Sequence, residues 1–133
     1  MVNSVADMLI RIKNAQMAGK ERVLVPFSRA KFDVAKILKE NGLVQEIERK
    51  KKKVSKTEQV FLEVKLDLSR GIMPIAGIKI FSKPSRRVYL GKKDIKPVVS
   101  GYGISIISTS RGIMSGQDAR KNNLGGELIA EVW

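Results

Sequence analysis

A run of chain-breaking residues near the middle of the sequence limits what this chain can fold into. The stretch SRGIMPIAG, residues 69–77, contains Gly71, Pro74 and Gly77, and regular helices and strands seldom continue through such spacing. It leaves roughly half of the 133 residues on either side. A half of that length can bury only a small core. The sequence therefore predicts two small domains that share an interface: residues 1–68, a linker at 69–77, and residues 78–133.

The first half alternates between helical and strand patterns. Apolar residues form one helical stripe near the N-terminus, where Ser4 and Asp7 have the spacing of a capping box. The stripe consists of Val5, Met8, Leu9 and Ile12. ERVLVP then predicts a short strand, and Ser28 is a suitable N-cap for a helix that ends near Asn41. Two strands, LVQEIER and EQVFLEVKLDL, complete a predicted α-β-α-β-β order.

A run of lysines separates these last two strands. The stretch KKKKVSK, residues 50–56, is too highly charged to pack in a core, and it predicts the tip of a hairpin. Such a tip can be a solvated loop with no further role. It can also hold nucleic-acid phosphates and add affinity without sequence selectivity. The sequence leaves both interpretations open.

The second half is predicted to be mostly β. IKIFSKPSRRVYL predicts two strand pieces around Pro84, and ISIIST predicts a continuous apolar strand. Ser115 and Asp118 have the capping-box spacing, which predicts a short helix that ends near Lys121. A turn at NNLGG leads into a last strand, ELIAEVW. The chain as a whole is therefore predicted to belong to the α+β class.

Positive charge is the strongest feature of the composition. The chain has 26 Lys and Arg residues against 13 Asp and Glu, a formal net charge of +13. Residues 69–133 are basic throughout, whereas the first half is balanced outside its lysine cluster. An excess of this size indicates a polyanionic partner, either nucleic acid or an acidic membrane surface. Lysines that serve only solubility are the alternative.

Several classes of chemistry are disfavoured by the residues that are missing. The sequence has no cysteine and no histidine, which excludes disulfides and removes the commonest general base and metal ligand. No apolar run approaches the roughly 20 residues of a membrane helix, and MVNSVADML lacks the pattern of a signal peptide. We therefore expect a cytoplasmic binding protein that is not an enzyme, with no cofactor, metal or small-molecule substrate.

Three adjacent hydroxyl residues end the apolar strand in GISIISTSRG. A hydrolase nucleophile elbow needs glycine two positions before its serine, but Ser108 stands two positions before Ser110. Hydroxyls at a strand end often bond to nearby backbone and form a turn. They also suit the shallow minor groove of folded RNA, where they meet 2′-hydroxyls, phosphates and base edges. There, Arg111 would add charge and Gly112 would allow the backbone to approach closely.

The stretch GISIISTSRGIMSGQDAR resembles the signature of the eighth small-subunit ribosomal protein family, in its bacterial form. VADMLIRIKNA is similar to that family's first helix, SKPSRRVY to its middle motif and NLGGELIAEVW to its closing strand. The resemblance implies a primary binder of small-subunit ribosomal RNA that helps to assemble or brace the subunit's central region. It implies an α-β-α-β-β first domain and a mostly β second domain that recognises the RNA. It also implies neighbouring ribosomal proteins as partners and, in some members, repression of their own messenger RNA.

The same resemblance implies which residues meet the RNA. The hydroxyl triplet corresponds to Ser108, Thr109 and Ser110, and the aromatic of the middle motif to Tyr89. The closing turn corresponds to Gly125, Gly126 and Glu127. Basic residues that would attract phosphates are Arg86, Arg87, Lys92 and Lys93. These residues also have purely structural interpretations. Tyr89 could be a half-buried aromatic of a strand, and Gly125 and Gly126 could serve only the turn.

Two functions from other classes stay open. A DNA-binding architectural protein would use the same charge, although no helix pattern here resembles the reading helix of a helix-turn-helix. A hydrolase that uses Ser110 as its nucleophile would need a base other than histidine.

Overall fold

In the computed structural model of the chain, residues 2–68, 75–96 and 103–133 are described. The first range folds in the predicted α-β-α-β-β order. Its elements are α1 (Val2–Met17), β1 (Arg22–Pro26), α2 (Arg29–Glu40), β2 (Glu46–Val54) and β3 (Thr57–Lys65). Helix α1 begins at Val2, so Ser4 lies inside the helix instead of capping it.

Apolar stripes and capping residues explain where these helices form and end. The four stripe residues of α1 are at most 1% exposed, as their spacing predicts. Ser28 caps α2, since its hydroxyl accepts a hydrogen bond from the Lys31 N–H at 3.2 Å. Gly19 and Gly42 follow the two helices with φ of +74° and +75°, a conformation that favours glycine.

The first sheet has the strand order β1-β3-β2, and both pairings are antiparallel. Alternation along the central strand β3 turns Leu62 and Val64 toward the core that contains α1 and α2, and both residues are 0% exposed. The opposite face carries Glu63, whose carboxylate accepts a hydrogen bond from the Lys50 ammonium at 3.0 Å.

The lysine run forms part of a strand, and the predicted hairpin tip is wrong in extent. β2 continues through Val54, and Lys50–Lys53 pair in register with Phe61, Val60, Gln59 and Glu58. The turn consists of Ser55 and Lys56 alone. Charged side chains are compatible with strand pairing here because the backbone ladder needs no apolar side chain, and Lys51, Lys52 and Lys53 are exposed.

The second sheet is organised around the last strand of the chain. The elements of this half are β4 (Ile78–Ile80), β5 (Tyr89–Leu90), β6 (Ile104–Thr109), β7 (Gly112–Ser115), α3 (Gly116–Lys121) and β8 (Gly126–Val132). β8 pairs with β6 on one side and with β4 and β5 on the other, while β7 pairs with β6. Two sheets and three helices among the described residues confirm the α+β class. The sequence does not predict β7, since a strand of four residues shows little periodicity.

The main hydrophobic core is shared between the two halves of the chain. Its cluster contains residues of α1, α2 and the first sheet together with Ile75, Ile106, Ile129 and Val132. A smaller cluster of Ile95, Ile107, Ala119 and Leu128 lies between the second sheet and α3. Most of the predicted linker, residues 69–74, lies outside the described residues, and the domain boundaries stay a prediction.

A buried glutamine joins α1 to the start of the second half. Gln16 is 4% exposed, and its amide nitrogen donates to the Ile75 carbonyl at 2.7 Å. Its amide oxygen accepts from the Ile75 N–H at 3.0 Å. Both polar groups of the Ile75 backbone are thus satisfied by one side chain, which leaves Ile75 itself free to pack in the core.

We predict that Gln16→Ala lowers the free energy of unfolding by about 2–4 kcal/mol, because it leaves a buried N–H and a buried carbonyl without partners. Urea unfolding checks this. Met17→Ala is the matched control, since Met17 is 62% exposed and its truncation should change stability by less than about 0.5 kcal/mol. Equal effects of the two substitutions would contradict the proposed role of Gln16.

Candidate nucleic-acid interface

A tight hairpin gives the three hydroxyl residues different environments. Ser110 and Arg111 join β6 to β7, and Gly112 follows with φ of +110°, which favours glycine. The Thr109 hydroxyl closes this turn. It donates to the Gly112 carbonyl at 2.8 Å and accepts from the Arg111 N–H at 3.1 Å. Thr109 therefore carries out the turn chemistry that was one interpretation of the triplet.

The other two hydroxyls of the triplet have no hydrogen-bond partner among the described residues. Ser108 is half-buried in β6, and Ser110 is exposed in the turn. Neither side chain forms a hydrogen bond within residues 2–68, 75–96 and 103–133. A hydroxyl both donates and accepts, so these two groups can meet polar groups of either kind on a partner.

Strand pairing aligns Ser108 with two other predicted site residues. Ser108 of β6 lies opposite Glu127 of β8, and Glu127 lies opposite Tyr89 of β5. Residues directly opposite one another in a sheet point to the same face. Ser108, Glu127 and Tyr89 therefore form a line across three strands, which we call the recognition row. Tyr89 is 66% exposed, so the structure does not place it as a half-buried strand aromatic.

Two glycines allow β8 to lie close to both of its neighbours at this end. A Cβ atom on Gly126 would collide with the Ser108 carbonyl. A Cβ atom on Gly125 would lie 2.5 Å from the Leu90 carbonyl oxygen and 3.0 Å from the Lys92 nitrogen. Side chains at these two positions would push β5 and β6 away from β8. The glycines thus hold the recognition row together through close backbone approach.

The carboxylate of Glu127 is nearly buried and only partly satisfied. Its side chain is 10% exposed, and Oε1 lies 3.9 Å from Arg87 Nη1, a long ion pair. Oε2 is buried and has no hydrogen-bond partner among the described residues. Burial of an unpartnered carboxylate oxygen is unfavourable, and a partner can reach this carboxylate only through the small exposed part of its side chain.

A buried serine fixes the segment that carries Arg86 and Arg87. Ser82 is 1% exposed; its hydroxyl donates to the Leu128 carbonyl at 2.6 Å and accepts from the Val88 N–H at 3.0 Å. The backbones of Lys83 and Arg86 bond to each other around a two-residue turn. Sequence reasoning missed Ser82, because a single serine after an apolar pair gives no local sign of a distant partner.

The basic residues predicted to meet phosphates are exposed and lie on the segments that flank β5 and on the β6–β7 turn. Arg86 and Arg87 follow the turn described above, and Lys92 and Lys93 lie in the turn after β5. Arg111 lies at the tip of the β6–β7 hairpin. All five residues are exposed. Of these five, only Arg87 forms an ion pair with another described residue. No described contact joins Arg86, Lys93 or Arg111 to the row itself.

The described part of the chain contains neither a membrane-spanning helix nor a metal-binding cluster. No helix there is long and apolar enough to cross a membrane. Residues 2–68, 75–96 and 103–133 contain no group of three or more side chains that could hold a metal ion.

Comparison with known proteins identifies the family. A family model described as Ribosomal protein S8 matches residues 3–133. The chain belongs to the ribosomal protein S8 family. It is therefore a protein of the small ribosomal subunit and not an enzyme, as the sequence predicts.

Relatives of this S8-family chain match it over its full length. The small ribosomal subunit protein uS8 of Nitratidesulfovibrio vulgaris (strain DSM 19637 / Miyazaki F) is 41% identical over 133 residues, covering 100% of this chain and 99% of that protein. The uS8 protein of Sorangium cellulosum (strain So ce56) is 44% identical, with the same coverage. That of Kosmotoga olearia is 45% identical over 132 residues, with coverage of 97% and 96%.

We predict that Gly126→Ala destabilises this S8-family protein by about 1–3 kcal/mol, because the added methyl group forces β6 and β8 apart. Thermal and urea unfolding measure the effect. Gly91→Ala is the control, since its Cβ would meet only the Asp94 carboxylate, at 3.2 Å. A Gly126→Ala variant as stable as Gly91→Ala would show that β8 does not need this close approach.

Proposed function

We propose that this S8-family protein binds small-subunit ribosomal RNA directly through the recognition row and the residues around it. Binding there would help to assemble or brace the central region of the subunit. One observation carries the proposal: within the described residues, the row combines an exposed aromatic ring, a hydroxyl without a hydrogen-bond partner and a carboxylate held only by a long ion pair. Each of these groups gains free energy from a partner that supplies rings and hydrogen-bond donors.

The carboxylate in the row determines which part of an RNA can lie against it. Glu127 accepts hydrogen bonds only, and its charge repels phosphate. The exposed part of its carboxylate instead suits a 2′-hydroxyl or the amino and imino groups of a base edge. Glu127 would thus favour an RNA segment that presents donors at this point, and it would disfavour contact with phosphates alone.

The tyrosine and the two serines would add contacts on either side of the carboxylate. The exposed ring of Tyr89 can stack on a base or pack on a ribose, an interaction worth about 1–3 kcal/mol when a base is stacked. Ser108 and Ser110 can donate to phosphate or base acceptors and can accept from 2′-hydroxyls. Because the pairing of β5 and β6 with β8 fixes the spacing of Tyr89 and Ser108, these groups would select one RNA shape.

The surrounding cations would supply attraction without sequence information. Arg86, Arg87, Lys92, Lys93 and Arg111 could neutralise up to five phosphates. Log affinity would then fall with log salt concentration with a slope of about −3.5 to −4.5 from these residues. Association would be strongest at low salt, while the row would keep the complex selective as salt rises.

Folded RNA fits this surface better than duplex DNA does. Helix α3 has six residues and packs in the smaller hydrophobic cluster, and the apolar stripe of α1 is buried in the main core. In the described part of the chain at least one strand separates each helix from the next, so no two of the three helices form a helix-turn-helix with a reading helix for the major groove of DNA. A sheet row of mixed polar groups suits the shallow minor groove of RNA instead.

Repression of the protein's own messenger RNA is a second proposed role of the same surface. A messenger that folds into the shape selected by the row would compete with ribosomal RNA for it. Neighbouring ribosomal proteins would bind elsewhere on the molecule.

We predict that the double variant Ser108→Ala/Ser110→Ala loses about 1–3 kcal/mol of RNA binding, roughly 5- to 150-fold in Kd, because two unengaged hydroxyls are removed. Its thermal stability and the salt dependence of its binding should stay close to wild type. The measurement is the affinity for folded small-subunit ribosomal RNA at fixed salt, with excess transfer RNA as competitor.

Two further variants make this result interpretable. Gln45→Ala/Gln117→Ala removes two exposed neutral polar side chains and should bind like wild type. Thr109→Ala removes a hydroxyl used in the turn and should lower stability by about 1 kcal/mol. Wild-type affinity in the Ser108/Ser110 double variant would overturn the assignment of these hydroxyls to RNA recognition.

A further inference from the structure

The β2–β3 hairpin extends beyond the third strand of its sheet. β1 pairs with β3 only from Phe61 to Lys65, and the Phe27 N–H bonds to the Val60 carbonyl at 3.0 Å just past that pairing. From there to the turn the hairpin continues as two paired strands without β1. We call residues 51–60 the lysine ribbon.

The lysine ribbon is a solvent-exposed arm with a defined shape. Residues 51–53 and 55–59 are all exposed. Its turn is a tight one of two residues, Ser55 and Lys56, and only Ser55 has positive φ, at +61°, as in type II′ hairpin turns. Strand pairing continues to the last residues before the turn, Val54 and Thr57. The arm is thus built as a regular twisted ribbon and not as an irregular loop.

The charge on the ribbon is predominantly positive, and its lysines have no ion-pair partner among the described residues. Lys51, Lys52, Lys53 and Lys56 stand against a single acidic residue, Glu58. Within the described residues none of these four lysines forms an ion pair. Alternation places Lys52 on one face of the ribbon and Lys51 and Lys53 on the other, so both faces are positive.

Lys50 shows how a lysine of this run differs once it lies within the sheet. Its ammonium bonds to Glu63 at 3.0 Å, and this hydrogen bond, opposed in part by burial, lowers the pKa of the Glu63 carboxyl. The free charges therefore begin at Lys51, where the hairpin leaves β1. From Lys51 toward the turn, the lysines of β2 are exposed and have no ion-pair partner among the described residues.

Protection of a sheet edge explains this pattern less well. β2 is an edge strand, and charged side chains on such strands hinder pairing with other molecules. Lysine serves that purpose, but mixed charges suffice for it in the part of β2 within the sheet, which has Glu46, Glu48, Arg49 and Lys50. A uniformly positive ribbon attracts a polyanion as well, and this difference favours a nucleic-acid partner.

We propose that the lysine ribbon binds the phosphate backbone of a second segment of small-subunit ribosomal RNA, apart from the segment that the recognition row selects. The proposal rests on the proposed function above. The ribbon belongs to the first sheet and the row to the second, and the two sheets pack around one core with α1 and α2. Since lysine ammonium groups are point charges, this contact would add affinity and orientation without reading bases.

The test compares three variants, each with three lysines substituted. Lys51→Gln/Lys52→Gln/Lys53→Gln removes the ribbon charge, and Lys20→Gln/Lys36→Gln/Lys121→Gln removes the same charge from exposed positions elsewhere. Lys51→Arg/Lys52→Arg/Lys53→Arg keeps the charge. For each, affinity for folded small-subunit ribosomal RNA is measured at several salt concentrations, and hydroxyl-radical footprinting maps the protected backbone. Thermal unfolding and size-exclusion chromatography check that each variant is folded and monodisperse.

We expect the ribbon Gln variant to reduce the salt slope by about 3, roughly one for each lysine. It should lose protection of one RNA segment and keep the segment that the Ser108→Ala/Ser110→Ala variant loses. The Arg variant should keep the wild-type salt slope and the wild-type footprint. The control Gln variant should match wild type in both.

Three outcomes would overturn the ribbon proposal. In the first, the ribbon Gln variant keeps the wild-type slope and footprint. In the second, it self-associates while its RNA binding is unchanged, which would assign the lysines to edge protection. In the third, the control Gln variant weakens binding as much as the ribbon variant does, which would make the effect one of net charge. A wild-type protein that protects no RNA segment would instead refute the proposed function and the ribbon's role with it.

Discussion

The close approach of three backbones at the start of β8 is the constraint on which the candidate interface depends. Gly126 lies against the Ser108 carbonyl and Gly125 against the Leu90 carbonyl, and neither position has room for a Cβ atom. With β5 and β6 held on either side, Tyr89 and Ser108 lie two strand spacings apart, about 10 Å. Glu127 lies between them. The polar groups are therefore arranged by backbone pairing before any partner arrives.

β8 also connects this interface to the rest of the molecule. Leu128 packs in the smaller cluster with α3, while Ile129, Ala130 and Val132 pack in the main core. The register between β6 and β8 shifts at a bulge, where Ile129 of β8 has no partner residue on β6. The bulge interrupts the alternation of faces, so that Ile129 and Ala130 both pack in the main core. Burial on both faces leaves Glu127, near its start, and Glu131, near its end, as the charged side chains of β8. The same strand thus supplies both the stability of the second sheet and the acceptor of the recognition row.

Local patterns predict the elements of this fold better than they predict its connections. The stripe of α1 and the caps at Ser28 and Ser115 follow from spacing alone, and the structure confirms them. The lysine run misleads because its charge indicates a loop, whereas strand pairing depends on the backbone. Gln16 and Ser82 bond to residues 59 and 46 positions away, and a local pattern contains no sign of such partners.

For the candidate site too, the sequence predicts the residue types but not their arrangement. The residue types of the hydroxyl triplet point to polar contacts, but only the hairpin geometry separates Thr109 from Ser108 and Ser110. The alignment of Tyr89, Glu127 and Ser108 depends on strand order and register, which the sequence does not specify. Family resemblance selects these residues, and the sheet explains in physical terms how they can act together.

Ultraviolet crosslinking of the wild-type protein to folded small-subunit ribosomal RNA, with mass-spectrometric mapping of the crosslinked peptides, tests the central claim most directly. Tyr89 is the exposed aromatic of the recognition row and needs no added probe. The account predicts an RNA adduct on Tyr89, and it predicts that Ser108→Ala/Ser110→Ala reduces the yield of that adduct. Adducts that form only on peptides outside the second sheet, with none on Tyr89, would contradict the account.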